Sequence, residues 1–196
     1  LVGFTLPRNG DNAVLEDMLS SISYRGPDQS NILIDKDFAV GHKRLIIISP
    51  NGGLQPRYDS CKKKFIAYNG ELYGYSLLTK ELQEKGVQLS DSSDTEVLFQ
   101  MIQNYGIKKT LNKIDGVFAF VYRDADTGNI FLARDKHGEK PLYYSVRNGR
   151  LFFASEIKAL LRHPEFLNVN IDMQSIDQYL TFDYIPGSKT LYDGLK

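Results

Sequence analysis

The sequence predicts a layered α+β domain in which antiparallel sheets are covered by helices. Three observations carry that expectation: strand-like alternation comes in consecutive runs, pairs of segments with helical spacing separate those runs, and turn residues sit between neighbouring strands. A chain of 196 residues buries about 70% of its unfolded surface, ample for one core.

Val2, Phe4 and Leu6 alternate as in a strand that Pro7 and Asn9-Gly10 end. Val14, Leu15, Met18, Leu19 and Ile22 share one helical face, with Asp11 or Asn12 as N-cap. From Asn31 to Ser49 the pattern is extended, in Ile32–Ile34 and Phe38–Ile48, with the turn-prone Asp35-Lys36-Asp37 between them. KKFIAYNGELYGY adds two extended pieces around an Asn-Gly, the strongest short hairpin signal. Helical spacing returns in Leu77, Leu78 and Leu82, and again in Val97, Leu98, Met101, Ile102 and Tyr105. GVFAFVYRDADTGNIFLARD and PLYYSVRNGRLFFASE each read as strand, Gly-bearing turn, strand. A short helix at about 155–161 follows, RHPEFLNVNID interrupts the pattern, and a helix spans Met173–Leu180 before IPGSKTLYDGLK trails off in Pro and Gly. The expected organisation is a domain over residues 1–165 and a connector over 166–196. The first residue, not a methionine, is expected to be a trimmed or processed terminus.

Composition excludes several function classes. Twenty-four basic and 24 acidic residues cancel, and Lys62-Lys63-Lys64 reads as the solvated start of a strand, so neither nucleic acid nor a membrane surface is an expected partner. No apolar stretch reaches the roughly 18 residues of a membrane span, and nothing has the form of a secretory signal. The single Cys61 fits a reducing compartment, with cytoplasm the expected location. His42, His137 and His163 are isolated, with no paired spacing and no Cys partner, so no metal site is expected and they read as satisfied structural histidines. SPNGGLQP lacks the Lys-Ser/Thr of a phosphate-binding loop, and Cys61 has no neighbouring His to make it a nucleophile.

Four stretches carry candidate chemistry. In YNGELY, Asn69-Gly70 reads as a hairpin turn, yet an Asn side-chain amide and a Gly N–H are also two neutral donors suited to a developing oxyanion. SDSSDTEVL holds the capping box Ser93-x-x-Glu96, which puts Asp94 in a first helical turn, near the surface and suited to an ammonium group. GHKRLIII places Arg44 where a strand turns from polar to apolar, either snorkelling or gripping a carboxylate in bidentate fashion. Arg44 with Asp94 would neutralise an α-amino-acid zwitterion. Arg25 in YRGPD either pins the N-terminal strand or is solvated.

The ordered series YRGPD, GHKRLIIIS, GGLQP, AYNGELYGY, SDTEVL, DGVFAF, LARDKHGEKPLYY, FASEIKALL, IDQYLTFDYIP and KTLYDGLK runs almost end to end. Taken together it resembles the N-terminal glutaminase domain of glutamine-dependent asparagine synthetases, a class II glutamine amidotransferase. The resemblance implies the N-terminal-nucleophile fold, a four-layer αββα sandwich of two antiparallel sheets flanked by helices. It assigns the glutamine α-carboxylate to Arg44, the α-ammonium to Asp94, the oxyanion to Asn69 and Gly70, a share of the pocket to Glu71 and the backbone after Arg44, and the ordering of the terminal loops to Arg25. It implies no cofactor in this domain, but a C-terminal synthetase domain that follows Lys196, uses ATP and Mg2+ to amidate aspartate, and carries a Ser-Gly-Gly-x-Asp signature this chain lacks. A homodimer is a further possible partnership.

The family begins Met-Cys-Gly-Ile/Phe and removes the methionine. The new terminal cysteine attacks the glutamine amide, and its α-amine, of unperturbed pKa about 7.7–8.0, serves as base. In LVGF, Gly3 and Phe4 match that start, while Val2 occupies the cysteine position and offers no nucleophile. The expectation is therefore a glutaminase domain that supplies ammonia. Three accounts of Val2 stand beside it: an altered form of an active domain, a natural glutaminase-dead scaffold, or a module that only binds glutamine.

Overall fold

The computed structural model describes residues 1–46 and 52–196. The end of the extended run expected to reach Ile48, and the start of SPNGGLQP, lie outside the described residues. In chain order the elements are β1 (Val2–Thr5), α1 (Asp11–Ser20), β2 (Gln29–Ile34), β3 (Phe38–Arg44), β4 (Arg57–Tyr58), β5 (Lys64–Tyr73), α2 (Tyr75–Glu84), α3 (Asp94–Tyr105), α4 (Ile107–Lys113), β6 (Asp115–Asp124), β7 (Asn129–Arg134), β8 (Tyr143–Arg147), β9 (Arg150–Ala154), α5 (Ile157–Leu160) and α6 (Met173–Phe182). One sheet has the order β2-β3-β1-β9-β8 and the other β4-β5-β6-β7. The chain divides into two compact units, described in turn: Leu1–Tyr24 with Ile32–Gly41 and Leu142–Lys196, and Arg25–Asn31 with His42–Pro141.

In the first unit β1 is flanked by two antiparallel neighbours, so that Val2 lies opposite Gly41 on one side and Ala154 on the other. Buried on both faces, β1 packs Val2 and Phe4 with Leu15, Met18 and Ile22 from the α1 segment and with Phe152, Leu160 and Phe166. Gly3 is there because a Cβ would sit 2.5 Å from the Ala39 carbonyl and closer still to the Phe153 ring. The α1 cap differs from expectation: Gly10, at φ 92°, precedes the helix, and Asp11 is its first residue. The Asp11 carboxylate instead accepts from the Arg8 N–H at 2.8 Å and from Arg150 at 2.9 Å. Arg150 is buried, donates also to the Thr5 carbonyl, and lies over the Phe4 and Phe152 rings. Its charge is matched rather than solvated.

The β8–β9 hairpin turns on Asn148 and Gly149, both at positive φ, as the Asn-Gly signal requires. Beyond Phe166, Asp172 caps α6 by accepting from the Gln174 N–H, Tyr144 and Lys196 exchange backbone hydrogen bonds, and Leu195 is buried in the core.

In the second unit β5 and β6 pair antiparallel over ten residues, from Lys64 opposite Asp124 to Tyr73 opposite Asp115. The hairpin expected at Asn69-Gly70 does not form, because β5 runs straight through both residues. A Cβ at Gly70 would stand 2.2 Å from the Val117 carbonyl oxygen and 2.7 Å from the Phe118 Cα. The glycine serves close strand approach, not a turn. Leu98, Phe99 and Ile102 of α3 bury against Ile66, Tyr68, Leu72, Phe120 and Tyr122 of the sheet, while Val97 and Met101 face Leu82 of α2. Leu77, expected on the apolar face of α2, is 70% exposed.

Candidate functional site

The second unit carries a cleft of about 240 Å³. Arg25, His42, Arg44, Gly53, Gln55, Tyr68, Asn69, Gly70, Glu71, Asp94 and Lys140 contribute to its walls. Six of the seven residues given a role from the sequence, Arg25, Arg44, Asn69, Gly70, Glu71 and Asp94, therefore meet in one place. The seventh, Val2, belongs to the first unit, where it is fully buried in β1.

Arg44 ends β3, and the RGPD segment fixes that end. Gly26 lies so close that a Cβ would come within 2.4 Å of the Arg44 nitrogen, Pro27 forms a bridge with Arg44, and the Asp28 N–H donates to the Arg44 carbonyl at 3.2 Å. The Asp28 carboxylate accepts from the Ile46 N–H at 2.7 Å. The half-buried Arg44 side chain donates Nη1 to Gln29 Oε1 at 3.0 Å, and Gly53, at φ 67°, makes room for its other end, since a Cβ there would lie 2.9 Å from Nη2.

Asp94 opens α3, with Ser93 as N-cap accepting from the Glu96 N–H at 3.1 Å. The reciprocal half of the capping box is absent: the Ser93 N–H donates to Asp91, and the Glu96 carboxylate accepts from the Ser90 N–H and pairs with Arg57. Asp94 was expected near the surface and is instead 6% exposed, its Oδ2 accepting from the Tyr68 hydroxyl at 2.9 Å and the Leu72 N–H at 3.2 Å. Burial, reinforced by the negative charge of Glu71, raises its carboxyl above the ordinary value against the pull of those hydrogen bonds. A cation placed beside it would relieve that cost.

Asn69 Nδ2 is buried and has no hydrogen-bond partner among the described residues. Beside it, Gln55 ties the wall together: Oε1 accepts from the Tyr68 N–H at 3.1 Å, and Nε2 donates to Thr95 at 2.9 Å. Lys140 reaches the cleft from a loop organised by Asp135, whose carboxylate accepts from the N–H groups of Phe118, His137, Glu139 and Lys140. Burial opposes ionisation of Asp135, but those four donors outweigh it and hold the carboxyl at about 2.

His42, read from the sequence as a satisfied structural residue, is only half satisfied: Nε2 lies 2.8 Å from the Tyr68 carbonyl oxygen, and Nδ1 is buried without a partner among the described residues. The signal that places it in the cleft is its spacing from Arg44, since residues i and i+2 of a strand share a face. Cys61 is exposed on the turn before β5 and does not line the cleft. Among the described residues no group of three or more His, Cys, Asp or Glu is arranged to hold a metal ion, and no helix is long and apolar enough to cross a membrane.

The cleft thus sets a guanidinium, a buried carboxylate and an amide donor around a space of amino-acid size. Comparison with known proteins shows the family. A family profile described as "Glutamine amidotransferase domain" matches residues 1–196. The chain is 35% identical over 178 residues to glutamine-hydrolysing asparagine synthetase 1 of Bacillus subtilis, covering 91% of this chain and 28% of that protein. It is 36% identical over 139 residues to glutamine-hydrolysing asparagine synthetase B of Escherichia coli, covering 70% of this chain and 25% of that one. The chain therefore spans about a quarter of the length of these curated relatives. Among solved structures, the glutamine phosphoribosylpyrophosphate amidotransferase of B. subtilis matches with a TM-score of 0.67 at 21% identity, over 81% of this chain and 42% of that one. That likeness shows the fold, and the two antiparallel sheets with helices agree with the α+β class expected from the sequence.

Proposed function

We propose, from the premise that the chain belongs to the glutamine amidotransferase domain family, that its cleft binds free glutamine with Arg44 on the α-carboxylate and Asp94 on the α-ammonium. The domain is homologous to the glutamine-hydrolysing asparagine synthetases. In this reading Asn69 Nδ2 and Gly70 face the side-chain carbonyl oxygen, and Glu71 borders the ammonium end. The observation that carries the reading is Asn69 Nδ2, a buried donor left without a partner beside a charge pair suited to an amino acid. Leaving such a donor unmet costs about 1–3 kcal/mol, which a substrate carbonyl recovers.

Hydrolysis to glutamate and ammonia needs a nucleophile, and the resemblance assigns it to residue 2, here Val2. A polypeptide of this sequence accordingly binds glutamine and leaves it intact. A form with cysteine as its first residue, directly before Gly3, supplies the thiol and releases glutamate. In the longer protein we assign the ammonia to ATP-dependent amidation of aspartate, with ATP and Mg2+ held by a C-terminal synthetase domain, residues 166–196 as the connector to it, and the cytoplasm as location.

Calorimetric titration with glutamine tests the binding half. Arg44→Ala and Asp94→Ala each remove a charge-assisted contact and should weaken affinity about ten- to hundredfold. Unchanged affinity in both would overturn the assignment, and glutamate formed by the Val2 protein above a protein-free control would overturn the claim about the nucleophile.

A further inference from the structure

We infer that His42 is the residue that distinguishes a carboxamide from a carboxylate in this cleft, its Nδ1 accepting a hydrogen bond from the side-chain N–H of bound glutamine. The inference rests on the glutamine reading above and goes beyond it by naming what reads the amide nitrogen.

The protonation state follows from one contact. His42 Nε2 lies 2.8 Å from the Tyr68 carbonyl oxygen, and a carbonyl only accepts, so Nε2 carries the hydrogen. A neutral imidazole has one N–H, which leaves Nδ1 as a lone pair. That lone pair is buried, and no group among the described residues donates to it. Burial above all keeps the ring neutral, lowering its pKa to about 3 against the pull of the hydrogen bond to Tyr68. Nδ1 is therefore an acceptor at neutral pH.

Asn69 supplies the complement. It follows Tyr68 directly on β5, the residue on whose carbonyl the imidazole is anchored, and its Nδ2 is a buried donor with no partner among the described residues. Both residues line the same cleft. An unmet donor and an unmet acceptor together match a primary carboxamide, which accepts through oxygen and donates through nitrogen. A carboxylate satisfies Asn69 but brings no proton to His42 and sets lone pair against lone pair. Sites built to hydrogen-bond an N–H discriminate strongly against analogues that lack it. The same mismatch disfavours the γ-carboxylate of glutamate, so His42 also promotes release of the hydrolysis product.

The test compares dissociation constants for glutamine and glutamate in the wild type and in His42→Gln. A Gln side chain reaches the Nε2 position and keeps the donation to Tyr68, but has no ring nitrogen at the Nδ1 position. Glutamine affinity should fall about tenfold while glutamate affinity holds or rises, narrowing the ratio of the two by at least that factor. Histidine 15N spectra of the wild-type protein give an answer that needs no variant: glutamine should move the His42 Nδ1 resonance upfield as it gains a hydrogen bond, and glutamate should not. A ratio unchanged in His42→Gln, or an Nδ1 resonance indifferent to glutamine, overturns the role of His42 while Arg44→Ala still weakens glutamine binding. Failure of the wild type to bind glutamine at all would instead overturn the reading of the cleft.

Discussion

Replacing Gly70 by alanine tests why an Asn-Gly pair stands in the middle of a strand. The new Cβ would lie 2.2 Å from the Val117 carbonyl oxygen, more than an ångström inside ordinary contact, with Phe118 Cα at 2.7 Å. Both obstacles are backbone of β6, midway along a ten-residue register, so no side chain can swing aside. Relief requires the two strands to part by about a quarter of their roughly 4.8 Å spacing. Overpacking costs about 3 kcal/mol at the upper end of its usual range, and loss of two ladder hydrogen bonds adds about 1 kcal/mol each. The expected destabilisation is on the order of 5 kcal/mol, a fall in Tm of roughly 10–20 °C for a chain of this length. Gly149→Ala is the control: Gly149 has φ 72° but nothing within 4 Å of its Cβ position, so only the left-handed backbone is penalised, by about 1–2 kcal/mol. Differential scanning calorimetry on the two variants decides the matter. A Gly70→Ala transition within a few degrees of Gly149→Ala would refute close strand approach as the reason for this glycine.

Arg57→Ala should destabilise by roughly 3–5 kcal/mol, because it leaves Glu96, whose side chain is 1% exposed, as an uncompensated buried charge and removes the 2.8 Å pair with Asp91; urea unfolding measures it, and a loss below about 1 kcal/mol contradicts it. Stability should fall as pH drops from about 6.5 towards 4, because burial holds His42 at about 3 and His163 at about 4. Unfolded histidines bind protons across that window and the folded ones do not, so the stabilising effect is complete above the unfolded value and shrinks below it. Asp135, at about 2, extends the loss below the ordinary carboxylate range by the same linkage. Thermal unfolding followed from pH 7.5 to 4 should show the decline, and His163→Gln should flatten it; a curve level across that range would contradict the burial of neutral histidines.

Local signals suffice at the start of α3 and at the β8–β9 turn, but not at the α1 cap, where Gly10 rather than Asp11 or Asn12 precedes the helix. The α3 boundaries follow from Ser93 and from apolar spacing, and the β8–β9 turn follows from Asn148-Gly149. Asn69-Gly70 carries the same local signal, yet what decides that position is β6, about fifty residues away in the chain. Asp94 was recognisable as a first-turn acid, but its burial depends on Tyr68 and Leu72 of another element. The helix α4 escaped notice because Ile107 and Leu111 alone do not make an apolar stripe, and β4, two residues long, is too short to alternate. Lys140 reaches the cleft only because Asp135 folds its loop, a placement that no periodicity encodes. His42 is the instructive omission: its i, i+2 relation to Arg44 is in plain view, but isolated histidines are weighed in the sequence only as metal ligands or as satisfied structural residues, and its Nδ1 is not satisfied.

The two charged groups assigned to the amino-acid backbone of the substrate sit on different elements, so their separation is set by residues that touch no ligand. Asp91 is the joint between them. Its Oδ2 accepts from the Gly53 N–H at 3.3 Å and from Arg57 at 2.8 Å, and its Oδ1 accepts from the Ser93 N–H at 2.9 Å. One carboxylate therefore ties the Gly53 backbone, which leaves room for the Arg44 guanidinium, to the cap of the helix that begins with Asp94. Arg57 pins the same helix from the other side through Glu96. A zwitterion clamp gains most when its charges are held before the ligand arrives, since ordering them at binding would oppose affinity. On the proposed glutamine reading, the ion pairs of Arg57 with Asp91 and Glu96, weak as sources of net stability, serve to fix the spacing that an amino acid must match.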